Sequence, residues 1–210
     1  MGLIHIDLFC TLDLVAQAPG GPEEDASDGF VYGGWQAPLF DAEVGADVGR
    51  GMQDMDALLL GRRTYDIFAA YWPFQEEGVD GGVARLFNAI PKYVASRGEP
   101  ALDWAGTSLL DADVAAAVAG LRERHENVHV VGSLDFVQTL LAGGLYDRLH
   151  LWMYPIVLGT GKRVFADGAV PTSLKLLEPA ATSSNGAVLL HYARTGGTPV
   201  TGDMTAADRA

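Results

Sequence analysis

The run Ala57-Leu58-Leu59-Leu60 is uniformly apolar, stops at Gly61 and passes at once into Arg62, Arg63 and Thr64. A strand with one wet face alternates apolar and polar residues, whereas a strand without alternation is buried on both faces. Burial on both faces demands a layer above and a layer below, and helices are the usual layers around a parallel sheet. The same grammar recurs along the chain. Strand-like runs at 3–13, 92–96, 127–133, 147–159 and 187–194 are interleaved with helical patterns at 38–55, 63–70, 83–90, 111–124 and 135–144. Short turns join most of them and no internal repeat occurs. We therefore expect an α/β fold, a mainly parallel sheet with helices on both faces.

With 210 residues, 49% of them apolar, the chain can bury the core of one domain. Its formal charge of −13, from 27 acidic and 14 basic residues, argues against nucleic acid as a partner. A small anion remains compatible, because a few local arginines suffice to hold one phosphate. Cys10 is the single cysteine, so no intrachain disulfide and no zinc cluster follow, and a buried structural thiol is expected. No signal-peptide pattern opens the chain and no apolar run approaches about 20 residues, from which we expect a soluble, cytoplasmic protein without a membrane partner.

Several segments carry local information. Residues 14–35 are rich in Gly, Pro and acids and too long for an ordinary connection; Phe30, Tyr32 and Trp35 within them suit a loop that packs over something. In helix 38–55, Phe40, Val44, Val48 and Met52 make one apolar stripe. Residues 74–82 read as a polar loop, and Pro155 should end regular pairing of its strand. The segment His125-Glu126-Asn127-Val128-His129 matches a zinc-protease pattern letter for letter, but the helix stops near Asn127, so we expect no metal site.

Three strand ends share a feature. The first ends in Gly61 before Arg62, Arg63 and Thr64; the second in Ser96 and Arg97; the third, Val130-Val131, in Gly132, Ser133 and Leu134. Ligands of parallel sheets bind outside the carboxyl ends of the strands. Helix N-termini there present free N–H groups and partial positive charge to a phosphate, and arginine adds a bidentate fork. The arginines thus look reserved for an anionic cofactor, most simply a dinucleotide. Neither a Walker loop nor the G-x-G-x-x-G fingerprint is present, and no G-x-S-x-G elbow marks a serine hydrolase.

Taken together, "TLDLVAQAPGGPEED", "GGWQAPLFD", "DALLLGRRTYDIFAAYW", "YVASR", "VVGS" and "LLAGGLYDRLHLWMYPIVLGTGKRVF" resemble the dihydrofolate reductase-like family, in the branch of the riboflavin-biosynthesis reductase, the C-terminal domain of a bifunctional deaminase-reductase. The resemblance implies an eight-stranded, largely parallel sheet over 1–195, with 196–210 as a tail, and NADPH as cofactor. It implies that Gly61, Thr64, Val131, Gly132, Ser133 and Leu134 border the cofactor diphosphate and ribose. Arg62 or Arg63, with Ser96 and Arg97, would recognise the 2′-phosphate. The loop around Gln17, Ala18, Pro19 and Gly20 would cover the nicotinamide. The family's Gly-Gly pair at the "VVGS" turn is Gly132-Ser133 here, and its peptide, often cis in dihydrofolate reductases, is left open.

The proton donor implied by the family is a carboxylate near the first helix. Asp41 lies near that place, with Glu43 and Asp47 as competitors, although Asp41 also suits a helix cap. Trp35 and Phe40 flank the expected pocket, and Gly159, Lys162 and Arg163 form a turn whose charges suit a substrate phosphate. The expected activity is NADPH-dependent reduction of a small heterocycle, nearest to 5-amino-6-(5-phosphoribosylamino)uracil reduction, with pterin reduction or a non-catalytic nucleotide-binding module as alternatives. A homodimer is expected by analogy, with strand 149–158 and its Trp152 and Tyr154 contributing.

Overall fold

The computed structural model describes residues 1–204. Its strands are β1 (Leu3–Thr11), β2 (Ala57–Gly61), β3 (Lys92–Ala95), β4 (Thr107–Leu109), β5 (Asn127–Val130), β6 (Arg148–Tyr154), β7 (Leu174–Leu176), β8 (Ala181–Thr182) and β9 (Val188–Arg194). The helices are α1 (Ala42–Gly51), α2 (Arg62–Tyr71), α3 (Gly81–Ala89), α4 (Val114–Arg124) and α5 (Leu134–Gly143). One sheet runs β4-β3-β2-β5-β1-β6-β9-β7, an eight-strand path, and β8 pairs with β9 beside β7. Neighbours from β4 to β6 are parallel, whereas β9 is antiparallel to β6, β7 and β8. This is the α/β architecture expected from the interleaved apolar runs.

The strand period of two sends alternate residues to opposite layers. On one face Ile4, Ile6, Leu8, Cys10, Val128 and Val130 pack against Val118 and Leu121 of α4 and Phe136, Val137 and Leu140 of α5. Cys10 is fully buried there, and burial pushes its thiol up to about 12. On the other face Leu58, Leu60 and Val94 meet Tyr65 of α2 and Phe87 of α3, while Trp152, Tyr154 and Leu189 meet Val44 of α1.

The helix expected over 38–55 is divided. Residues Ala37–Leu39 form a 3-10 turn, Phe40 is extended, and α1 begins after Asp41, whose side chain accepts a bond from Val44 N at 3.0 Å. Pro38 opens the short turn and Asp41 caps the new helix, so Phe40 leaves the stripe and stands 47% exposed. Strands β4, β7 and β8 fall where no strand was expected; each is two or three residues long and mostly exposed. Regular pairing of β6 ends at Tyr154, just before Pro155.

For Trp152 and Tyr154 the expected contribution to a dimer face is corrected by burial. Trp152 and Tyr154 are packed inside this chain, and β6 lies between β1 and β9, so that strand offers no free edge and those side chains no outer surface. Of the expected tail, 205–210 lie outside the described residues, and 196–204 carry no helix or strand. Among the described residues, no helix is long and apolar enough to cross a membrane.

Candidate active site

The carboxyl ends of β2 and β5 meet. Gly61 N donates to Gly132 O at 2.8 Å, and a Cβ on Gly61 would stand 2.7 Å from Ser133 N. Gly132 has φ +148, and a Cβ there would stand 2.5 Å from Thr64 Oγ1. Both positions therefore admit only glycine without displacement of a neighbour. The Gly132–Ser133 peptide is cis. Helices α2 and α5 start directly at this junction, and their N-caps, Gly61 and Ser133, make no side-chain cap bond. Their first N–H groups are left without a side-chain cap at one rim of the sheet. The pairing of Gly61 with Ala95 brings Ser96 and Arg97 to the same rim one strand further on.

Beside this rim lies a cavity of about 350 Å³. Thr64, Arg63, Val131, Gly132, Ser133 and Leu134 line it, as do Ala18, Phe40 and Lys162. Gly61, Arg62, Ser96 and Arg97 stand at the rim without lining it. Arg62 is exposed and paired with Asp66, one helical turn on, at 2.7 Å. Ser96 Oγ accepts from Gly98 N at 3.1 Å.

Other sequence-selected residues lie elsewhere. Trp35 is buried in the loop's own core; its Nε1 donates to Gln17 O at 2.8 Å and its ring packs edge-on to Tyr154. Asp41 stands outside the cavity as the cap of α1 and also accepts from Asn185 N at 2.9 Å. Its bond from Val44 N holds the carboxyl below the usual range, opposite to what a proton donor in an apolar pocket requires. Gly159 and Arg163 are grouped around Asp13, the first by an N–H bond of 2.8 Å and the second at 3.9 Å, and neither lines the cavity. Asp47, on the buried side of α1, accepts from Trp152 Nε1 at 2.8 Å and is paired with His191 at 3.0 Å.

The loop is organised by Gln17, which is almost fully buried. Its Nε2 donates to Asp25 O and Ser27 O, both at 3.1 Å, and its Oε1 accepts from Lys162 N at 2.9 Å. This places Asp25 at the cavity, where its carboxylate pairs with Arg63 and, at 3.1 Å, with Lys162. Burial raises the Asp25 carboxyl, but bonds from Ser27 and Lys162 outweigh it and hold the group below its ordinary value. Glu24 also lines the cavity and accepts from Gly20 N at 2.6 Å; there burial prevails and the carboxyl is raised.

The sequence reading missed the ionisable floor. Asp7 of β1 and His129 of β5 line the cavity, joined by a 2.7 Å bond from His129 Nδ1 to Asp7 Oδ2. His150 Nδ1 lies 2.9 Å from Asp7 Oδ1, off the line of a good hydrogen bond. Burial alone would raise Asp7, but the charge and hydrogen bond of His129, with His150 close by, reverse it and hold the carboxyl low. His5 stacks on His129 at 4.4 Å; burial, then the charge of His129, lowers it to about 4. His125, the other half of the zinc-like pattern, ends α4 and bonds Tyr93 Oη at 2.9 Å, away from this cluster.

Residues 3–189 match the family model of the RibD C-terminal domain. The chain belongs to that family. The RibD C-terminal family is a reductase family. YyaP of Bacillus subtilis (strain 168), described as uncharacterized, is 27% identical over 143 residues, which cover 67% of this chain and 75% of that one. Among solved structures, a Shewanella sp. PV-4 protein named for riboflavin biosynthesis superposes with a TM-score of 0.64 at 16% identity, covering 92% of this chain and 99% of that one. A pyrimidine reductase-like protein of Corynebacterium diphtheriae gives 0.62 at 14% identity, covering 93% of each chain. RibD of Acinetobacter baumannii gives 0.60 at 15%, with 93% of this chain covering 58% of that protein. These likenesses establish the shared dihydrofolate reductase-like fold of RibD reductases.

Proposed function

We propose that this RibD C-terminal domain is an NADPH-dependent reductase of a small heterocyclic compound. The observation that carries the reading is the junction of Gly61, Thr64, Gly132 and Ser133, with two side-chain-uncapped helix N-termini, at the rim of a cavity large enough for a ring system. The residues present fit a dinucleotide. First-turn N–H groups of α2 and α5 with Thr64 Oγ1 would hold the diphosphate, and Gly132 would let the backbone approach closely. Arg62 and Arg97, with Ser96, would take the adenosine 2′-phosphate, while Arg63 stays with Asp25. Ala18 and the loop held by Gln17 would cover the nicotinamide and keep water out.

NADPH, when bound, would supply a hydride to the carbon of a C=N or C=O bond in the substrate. The heteroatom takes one proton, which completes the two-electron reduction. We assign delivery of that proton to His129, the imidazole on the cavity floor, because Asp41 is outside the cavity. Asp7 fixes the imidazole by accepting from Nδ1, which leaves Nε2 to exchange protons. The nearest named activity is reduction of 5-amino-6-(5-phosphoribosylamino)uracil.

The test is a pair of titrations with NADPH and NADH, followed by cofactor fluorescence. Arg62→Ala with Arg97→Ala should weaken NADPH about tenfold or more and leave NADH nearly unchanged, since charge-assisted phosphate bonds are lost from one cofactor only. Equal losses for the two remove the 2′-phosphate assignment. Saturable NADPH binding without oxidation by any pterin, pyrimidine or related heterocycle leaves a nucleotide-binding module and sinks the catalytic half.

A further inference from the structure

Among the residues lining the cavity, the side chains of fixed positive charge are Arg63 and Lys162. Both are paired with the same carboxylate, Asp25. Asp25 is itself locked. Its carbonyl accepts from Gln17 Nε2 at 3.1 Å, and its Oδ1 accepts from Ser27 N at 3.0 Å. Arg63 is held a second time by Ser27 Oγ at 2.8 Å. Three further acids, Asp7, Glu24 and Asp135, line the same cavity. A substrate phosphate seeking Arg63 or Lys162 would have to displace a bound carboxylate and then sit among others, which like charges oppose.

Further along the helices the lining is built differently. Helices α1, α2 and α3 and their ends present Val48, Met52, Ile67, Phe68, Val83 and Phe87. These side chains offer flat and adaptable apolar contact and no donor or acceptor; Trp72 beside them adds one buried, unpartnered indole N–H to an otherwise apolar wall. Such a wall rewards burial of a ring and penalises an ionised or sugar-like substituent that finds no partner.

We propose that the compound this chain binds for reduction is an uncharged, flat, largely apolar ring compound without a phosphate, and that Asp25, by occupying Arg63 and Lys162, excludes a substrate phosphate from those two cations, whereas the cofactor diphosphate is held instead at the uncapped helix N-termini and Thr64. The proposal rests on the reductase reading for its reaction, but the ligand class follows from the cavity itself. It separates this chain from the phosphoribosyl substrate of the nearest named activity: the basic groups that would hold a ribose 5-phosphate are already neutralised from within.

The experiment uses binding, so it needs no known substrate. N-phenyl-1-naphthylamine, a neutral bicyclic fluorophore, is titrated into the whole chain, with ribose 5-phosphate as competitor. One-site, saturable enhancement is expected, undisturbed by millimolar ribose 5-phosphate. Ile67→Trp on α2 and, separately, Val83→Trp on α3 fill the apolar wall, and each folded variant should lose probe affinity tenfold or more. Far-ultraviolet circular dichroism identifies the folded ones, and two helices are used so that one misfolded variant does not decide the matter. Asp25→Asn should acquire ribose 5-phosphate binding, read as displacement of the probe, with a gain of tenfold or more. Competition by ribose 5-phosphate in the unaltered chain, unchanged probe affinity in the filled variants, or no gain in Asp25→Asn overturns the proposal. Failure of NADPH to bind while the probe behaves as expected sinks the reductase reading and leaves the ligand class standing; the reverse result sinks the ligand class alone.

Discussion

Replacing Gly61 by alanine isolates the contact between the two strand ends. Gly61 has φ −72 and ψ 150, extended values open to any residue, so alanine carries no backbone strain there. Loss of glycine's freedom in the unfolded chain even favours alanine by about 0.4–1 kcal/mol. The new methyl, however, would stand 2.2 Å from Ser133 Oγ, 2.7 Å from Ser133 N and 2.9 Å from Phe136 Cβ. A hydroxyl can rotate away. The other two atoms belong to the start of α5 and retreat only if that helix moves by several tenths of an ångström. Overpacking of this kind costs about 1–3 kcal/mol, which leaves a net loss of up to about 2.5 kcal/mol. For a chain of this size that lowers the melting temperature by up to roughly 10 °C. The assay is thermal unfolding followed by near-ultraviolet circular dichroism, paired with an NADPH titration. Because α5 is pushed away from α2, NADPH affinity should fall about tenfold. Adding Ser133→Ala removes the Oγ contact but keeps the backbone one, so only part of the stability should return. A Gly61→Ala chain with unaltered melting temperature and NADPH affinity would refute the packed junction and the cofactor cradle built on it.

Three other perturbations probe separate parts of the molecule. Lys92 is fully buried, donates to Phe87 O at 2.8 Å and Asn88 O at 3.2 Å, and lies over the Trp104 ring; Lys92→Met should cost about 1–3 kcal/mol in urea unfolding by orphaning those carbonyls, and a neutral result would show that they find other donors. His5 stays neutral in the fold down to about pH 4 but takes a proton near pH 6.5 when unfolded. The unfolded state therefore gains the proton first as pH falls through that window, and stability should drop by up to about 3 kcal/mol, with His5→Phe flattening the slope measured by urea titrations. Gln17→Leu removes the donor to Asp25 O and Ser27 O and the acceptor for Lys162 N, so limited proteolysis should cut the 19–33 loop faster than in the unaltered chain; equal rates would deny Gln17 its organising role.

What could be read in advance divides along physical lines. The central strands were legible because burial on both faces writes a continuous apolar run, as in β2, and the helices because their stripes are amphipathic. Strands β4, β7 and β8 were not, since two or three exposed residues are held there by pairing with a neighbour and carry no pattern of their own. The helix over 38–55 was read too long because Phe40 kept the apolar spacing, while Asp41 had already ended one element and begun another. At the site, the glycine junction announced itself, because strand ends are marked locally by glycine and by the helix that follows. The Asp7–His129 pair did not. Each residue occupies an ordinary alternating position, and only the pairing of β1 with β5 and β6 brings Asp7 to two imidazoles. The Asp25–Lys162 bond spans 137 positions, and no local pattern foretells that a loop acid and a turn lysine will meet.

The place of β1 has a consequence for synthesis. Within this domain β1 is made before every other strand, yet it pairs with β5 on one side and β6 on the other, both from much later in the chain. Until residue 154 has emerged, one flank of β1 has no partner for its amides, and Leu8 and Cys10 face a layer that does not yet exist. Closure of the sheet is thus a late, long-range event that follows translation of the domain's second half. Throughout that interval β1 is an apolar strand of this domain with an unpaired flank, in need of shielding from other nascent chains.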